Sequence, residues 1–469
     1  MKVEQIYTKR LSEASYFICS DGEAVVIDPI RDASPYLRLA EKNKAKIKYI
    51  LETHLHTDFV SGHLELSRKT GAEIVYGPNA ETNYPVYHAK DDELLTVGKI
   101  QIKVLYTPGH TLESTCFLAF DEKGNAHSLF SGDTLLIEDV GRPDLVLNNE
   151  VSIEDQARQL YDSIQVKLNP LEDSVLLYPG HVHGSPCARH IGPALHSTIG
   201  EQRKVNFALK EIDKEDFVKE VVNGLNSPPS YFFENARINR TGYADLQDVL
   251  QKNLKALSVG DVEQALEKKG LVIDTREAEY FQRGFIKGAI NIGLSGQFAI
   301  WTGTLVKIDT PLILIGRNQC ASEEAIVRLT QIGYENVLGY LEGGFGMWEW
   351  QDKAVEYICP FSLEESATKL KNYQIMAIDV RNPKAYQEAH IDNAIHIPLA
   401  QLSSNMFDLN TISEYVVYGD SAYYALMAVS LLQKNGFIQV SYLKGDFMKL
   451  QEYGVPMVYQ KKKSIISAS

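Results

Sequence analysis

The sequence predicts an α/β protein in which one layered domain is followed by two copies of a doubly wound domain. Two observations lead there. Through about residue 245, short β runs (EAVVIDP, IKYILETH, AEIVYGP, IQIKVLYTPG) alternate with helical stretches, the pattern of sheets covered by helices. Past residue 258 the chain repeats itself: LVIDTREAEYFQRGFIKGAINI at 271–292 lines up with IMAIDVRNPKAYQEAHIDNAIHI at 375–397 once Asp274 is placed on Asp379. An offset of about 105 residues means duplicated domains rather than a solenoid. Each copy reads as strand, helix, strand, then a tight loop opening a helix. The expected spans are 1–245, 258–356 and 360–464, and 469 residues do exceed what one core serves.

The first domain carries metal-ligand chemistry in an ordered series. Thr53-His54-Leu55-His56-Thr57-Asp58-Phe59 matches the THxHxDH motif of metallo-β-lactamase-like enzymes except at its last position, where a benzyl group that cannot coordinate a cation replaces an imidazole. Gly109-His110 in TPGHT, Asp133 in SGDTL and His181 in YPGH follow, each after an apolar run that reads as a strand. Two imidazoles and one carboxylate on one face of an octahedron form the facial triad of non-haem iron(II) oxygenases. His54, His110 and Asp133 are therefore the expected ligands of a single metal. His56, Asp58 and His181 are expected to hydrogen-bond and orient that inner set, or to serve a second site; a local turn contact is the plainer reading of Asp58.

Helical character returns at 198–222, SPPSYFF at 227–233 breaks it, and a segment near 235–257 is expected to lead away from the metal domain. The repeated copies resemble rhodanese domains, whose catalytic cysteine opens a loop of backbone amides at a helix N-terminus. In this chain Gly316 and Gly419 occupy those two positions. Without a thiol no covalent persulfide forms there, so the copies are expected to be non-catalytic and to serve packing or subunit contacts. Cys320 lies four residues beyond the first position, and a displaced role for it is the less favoured reading.

The whole chain resembles the persulfide dioxygenases of the metallo-β-lactamase superfamily, in the bacterial form fused to rhodanese homology domains. The strings behind this are HTDFVSGHLEL at 56–66, EDVGRPDL at 138–145, HGSPCARHIG at 183–192 and STIGEQRKVNFAL at 197–209. The resemblance implies a metallo-β-lactamase αββα sandwich followed by two rhodanese-like domains. It also implies one Fe(2+) per chain on His54, His110 and Asp133, and oxidation of a thiol persulfide, glutathione or similar, by O2 to sulfite and free thiol. Arg142 resembles the family's loop arginine near the substrate, with a loop salt bridge as the equal alternative. Cys187 matches a cysteine near the iron in rhodanese-fused members and is a possible sulfur relay, its thiolate favoured by metal or by cations such as Arg189. A small half-buried thiol is the bland reading of Cys187, and Cys19 and Cys116 read as core fillers.

With 47 basic and 61 acidic side chains the net charge of −14 argues against nucleic acid or an anionic membrane as partner. Five scattered cysteines do not read as a disulfide framework, and no apolar run is long enough for a signal or a span, so a cytoplasmic protein, expected to form a homo-oligomer, is anticipated. Two other functions stay open: a dinuclear zinc thioester hydrolase of glyoxalase II type, with Asp133 bridging, and a non-catalytic sulfide-responsive scaffold.

Overall fold

The computed structural model describes residues 1–145, 151–225 and 228–460. Ser227 at the head of the expected proline break, the lysine run 461–463 and residue 464 at the end of the second repeat lie outside the described residues. Contacts divide the chain into two units, Met1–Val249 with Thr330–Gly333, and a second that begins at Leu250 and holds both repeats.

In the first unit, a period of two decides which way each side chain faces. Strands β1 (Lys2–Thr8), β2 (Glu13–Ser20), β3 (Glu23–Ile27), β4 (Lys46–Glu52), β5 (Glu73–Tyr76) and β6 (Tyr87–His88) form one sheet in chain order. It is antiparallel through β3 and parallel from there on. The second sheet runs β12 (Ser197–Thr198), β11 (Leu176–Pro179), β10 (Ala126–Gly132), β9 (Thr115–Phe120), β8 (Ile100–Tyr106), β7 (Leu94–Val97). Alternate residues of both sheets, among them Tyr16, Ile18, Val25, Ile27, Val104, Phe117 and Phe130, share one core between the sheets.

The residues facing the other way meet helices. On the second sheet, Leu118, Leu129 and Leu177 pack with Leu160 of the helix Ile153–Ser163 and with Phe217 and Val221. Helices Ser34–Asn43 and His63–Thr70 bury Tyr36 and Leu66 on the first sheet's side. The result is the expected αββα sandwich. An aromatic cluster fastens the sheets together: the Tyr16 ring meets Phe130 and Tyr178 at 4.9 and 5.3 Å, and its hydroxyl donates to the Pro179 carbonyl at 2.5 Å, just ahead of His181. Emptying such a position, as in Phe130→Ala, costs about 3–5 kcal/mol.

The second unit contains two parallel sheets of matching topology. The first is β13 (Ala256–Leu257), β17 (Val337–Leu341), β16 (Leu312–Ile315), β14 (Leu271–Asp274), β15 (Ile290–Asn291) in spatial order. The second, read the other way, is β20 (Ile395–His396), β18 (Met376–Asp379), β21 (Tyr415–Tyr418), β22 (Val440–Tyr442), so β18 corresponds to β14. The duplication persists at atomic detail. Arg276 pairs with Asp274 at 2.6 Å and lies 4.1 Å over Phe345, while Arg381 pairs with Asp379 at 2.5 Å and lies 4.2 Å over Phe447. Among the described residues, no helix is long and apolar enough to cross a membrane.

Candidate metal centre

Each predicted ligand sits just past the C-terminal end of a strand or in a loop that follows one: His54 after β4, His110 after β8, Asp133 after β10, His181 after β11. There the chain leaves the sheet and its side chains converge above it. Two glycines make the approach close enough. Gly132 has φ +50°, and a Cβ there would lie 2.5 Å from Thr53 Oγ1; a Cβ on Gly141 would lie 2.2 Å from the Asp133 carbonyl oxygen and 2.7 Å from His110 Nδ1.

His54, His110 and Asp133 come together, each no more than 1% exposed, with ligand atoms all within 4.8 Å of one another. The hydrogen bonds fix the tautomers. Thr53 Oγ1 donates to Asp28 Oδ2 at 2.8 Å, so toward His54 Nδ1, 2.9 Å away, it acts as acceptor and leaves the His54 Nε2 lone pair for a metal. His110 Nδ1 donates to the Arg142 carbonyl at 2.8 Å. Its Nε2 is buried, has no hydrogen-bond partner and faces Asp133 Oδ2 at 3.5 Å. A lone pair opposite a carboxylate oxygen in a buried site is repulsive unless a cation lies between them, so these residues fit a metal. Burial pushes both imidazoles toward the neutral, coordinating form. It also opposes ionisation of Asp133, but the adjacent His181 outweighs it and holds that carboxyl well below the usual range.

His56 belongs elsewhere. Its Nε2 lies at ion-pair distance from Asp28 Oδ1, 3.2 Å, and Glu52 Oε2, 3.4 Å, and these three form a separate cluster. The buried Phe59 ring packs on it at 4.4 Å. His181 bridges two carboxylates, with Nδ1 2.8 Å from Asp133 Oδ1 and Nε2 2.8 Å from Asp58 Oδ2. Burial disfavours its charged form, but the two carboxylates raise its pKa well above the ordinary value. Asp58 therefore makes a long-range contact, not a local turn.

Two loop residues each carried two open readings, a substrate or sulfur role and a structural one. The Arg142 guanidinium is engaged bidentately by Asp144 at 2.6 and 2.7 Å and donates to the Pro186 carbonyl at 3.1 Å. The loop salt bridge is thus the form observed, and the Arg142 main chain positions His110. Cys187 is 1% exposed and grouped with Asp58 and His181, but Arg189 does not attend it: that guanidinium reaches the Glu220 and Asn223 carbonyls and lies over Phe207. Burial pushes the Cys187 thiol up to about 12, the reverse of the expected activation by Arg189.

The family profile of the metallo-beta-lactamase superfamily matches residues 8–181, and that of the rhodanese-like domain matches 258–351 and 362–453. A crystal structure of a metallo-beta-lactamase from Staphylococcus aureus subsp. aureus COL is 32% identical, aligns over 73% of this chain and 98% of its own, and gives a TM-score of 0.65. The chain belongs to the metallo-beta-lactamase superfamily. Proteins similar to it include a probable hydroxyacylglutathione hydrolase of Schizosaccharomyces pombe, 28% identical over 46% of this chain and 88% of its own. Another is the crystal structure of ETHE1 from Myxococcus xanthus, 27% identical over 51% of this chain and 98% of its own, with a TM-score of 0.44.

In the rhodanese-like part, Gly316 and Gly419, the two positions expected to correspond to a catalytic cysteine, have different surroundings. Ser322 Oγ accepts the Gly316 N–H at 2.9 Å, and a Cβ on Gly316 would lie 2.7 Å from that oxygen and 2.8 Å from Ser322 N, so the loop has closed over the space a thiol would need. At Gly419 the nearest atom to a Cβ is Val380 Cγ2 at 3.2 Å, a tighter contact than usual but one that a small shift of the Val380 side chain would relieve. Cys320 is exposed in the first turn of the helix Gln319–Gln331.

Sequence reasoning missed Asp28, Glu52 and Asn239. Asp28 has a weak signal, an acid closing the strand run EAVVIDP. Asn239 has none, and the segment near 235–257 was expected to lead away from the site. Instead the helix Tyr231–Thr241 belongs to the first unit, and the fully buried Asn239 donates to the His56 and Phe59 carbonyls, both at 2.8 Å, while accepting from Ser61 N at 2.9 Å.

Proposed function

We propose that the first unit is a mononuclear iron(II) dioxygenase that oxidises a low-molecular-weight thiol persulfide with O2 and one water to sulfite, the free thiol and two protons. The observation that carries this reading is the convergence of two imidazoles and one carboxylate, while His56 is held by Asp28 and Glu52 and Phe59 fills the place of a further donor. Held by His54, His110 and Asp133, iron(II) would supply a redox-active centre suited to a soft sulfur donor and to dioxygen. The chain's own residues do the rest. Thr53 and the Arg142 carbonyl hold the two imidazoles in their coordinating tautomers, His181 steadies Asp133, and burial keeps bulk water from the reacting sulfur. The rhodanese-like copies, with glycine at the positions expected to hold the catalytic cysteine, act in packing rather than catalysis, on this reading.

A second reading has its own support. Asp58 and His181 stand beside Asp133, and similar superfamily members include proteins called hydroxyacylglutathione hydrolases, which favours a dinuclear zinc thioester hydrolase. Metal analysis with an oxygen electrode separates the two. About one iron per chain, with oxygen uptake on glutathione persulfide, is the expected result. Two tightly held zinc ions, hydrolysis of a hydroxyacyl thioester and no oxygen uptake would replace it with the second reading.

A further inference from the structure

His54 stands at one end of a buried row of polar side chains that leads away from the triad. From His54 Nδ1 the row passes through Thr53 Oγ1 at 2.9 Å to Asp28 Oδ2, a further 2.8 Å on. The other oxygen, Asp28 Oδ1, faces His56 Nε2 at 3.2 Å, and that same nitrogen faces Glu52 Oε2 at 3.4 Å. Glu52 Oε1 in turn faces His63 Nδ1 at 3.1 Å, and His63 Nε2 lies 2.7 Å from the Tyr84 hydroxyl. Imidazoles therefore alternate with oxygen groups from the metal ligand to Tyr84, and every member as far as His63 is buried.

His63, which opens the helix His63–Thr70, is the member whose orientation can be read from its far side. The Tyr84 hydroxyl donates to the Asn239 carbonyl at 2.6 Å, so its single hydrogen is spent and its oxygen accepts the His63 Nε2–H. The nitrogen that remains, Nδ1, is the one turned to Glu52. The rings of Tyr76, Tyr84 and Tyr243 surround the imidazole with centroids at 6.2, 5.3 and 5.6 Å and fix its plane. Ser61 Oγ donates to the same Glu52 oxygen at 2.6 Å and fixes the carboxylate. Each oxygen of Glu52 thus has one imidazole against it.

A buried carboxylate that loses a partner draws on whatever donor is left. Without His63, Glu52 competes with Asp28 for His56, and Asp28 is what holds the Thr53 hydroxyl against His54. We infer that His63, held by Tyr84, is a positioning residue for the metal ligand His54, acting through Glu52, His56, Asp28 and Thr53. The inference deepens the preceding reading and rests on it only in placing a metal on His54; it holds for a persulfide or a thioester substrate alike.

The test compares H63A, H63Q, Y84F and Y243F in the metal-loaded full-length protein. Y243F is the packing control, because the Tyr243 ring meets His63 while its hydroxyl accepts the Leu64 N–H and stands outside the row. Release of the bound metal to excess phenanthroline is expected to quicken roughly tenfold in H63A and roughly threefold in Y84F, with H63Q recovering most of the loss and Y243F unchanged. The electron paramagnetic resonance spectrum of the iron(II) nitrosyl adduct should change shape in H63A and Y84F and keep it in Y243F. In turnover the H63A loss should fall on kcat rather than on KM, since His63 is remote from the substrate. Should H63A fail to fold, Y84F, which removes a single oxygen, carries the same test. Wild-type release and an unaltered spectrum in Y84F and H63A, or equal changes in Y243F, would reduce His63 to a packing residue and overturn the inference. Oxygen uptake on a persulfide is scored separately, and phenanthroline takes zinc as well as iron, so the dioxygenase reading can fail while the positioning role stands, and the reverse.

Discussion

At the scale of single residues, the site depends on hydrogen bonds that fix which nitrogen of each imidazole is free. His110→Ala removes a ligand outright, and purified protein should lose its bound metal and its oxygen uptake together. Thr53→Val is subtler. It deletes the acceptor that holds His54 Nδ1, and a loss of roughly 10–100-fold in iron affinity is expected by metal titration, with the fold intact. Phe59→His tests the motif's single departure. With Asp58, His181 and Asp133 already adjacent, an added imidazole is expected to raise the metal content measured by elemental analysis from about one toward two per chain. A stoichiometry that stays at one would mean that the clasp of His181 on its two carboxylates, not the phenyl ring, excludes the second ion.

At the scale of elements, helix Tyr231–Thr241 and the two glycine loops show how a segment's role depends on what it packs against. Asn239 hydrogen-bonds three backbone groups of the 56–61 loop, so Asn239→Ala leaves buried polar groups unpaired and should cost about 1–3 kcal/mol per unsatisfied group. A lowered thermal midpoint with reduced iron retention is the expected result. The glycine loops predict different tolerances. Gly316→Cys must displace Ser322 and should destabilise the protein, whereas Gly419→Cys requires only that the Val380 side chain, 3.2 Å away, give by a few tenths of an ångström and should be tolerated better. Differential scanning calorimetry of the two variants distinguishes them.

At the scale of the whole molecule, the chain has two units, and among the described residues the His54–His110–Asp133 centre and the two other clusters able to hold a metal all lie in the first. A ligand that binds only the folded state stabilises by about 2.7 kcal/mol at one hundred times its dissociation constant. Chelating the metal should therefore lower the unfolding transition of the first unit selectively, and readdition of iron should restore it. Equal shifts throughout the thermogram would show that the two units unfold as one.

Local sequence was enough to predict a layered α/β domain, the duplicated doubly wound repeats and His54, His110 and Asp133 as residues that come together, whereas the αββα sandwich and the reading of Gly316 and Gly419 came with the family resemblance. Strand alternation, internal repetition and ligand type are written in the order of residues, and each strand end fixes where its loop begins. Tertiary structure decided the remainder. Whether His56 faces the metal or Asp28 and Glu52, whether Arg142 is free for substrate or held by Asp144 and the Pro186 carbonyl, and whether Cys187 lies beside Arg189 or is buried away from it are settled only by the packing of loops against one another. Asn239 makes the same point across roughly 180 residues of sequence. Hydrogen bonds and burial act through space, and only the packed fold brings those partners within reach.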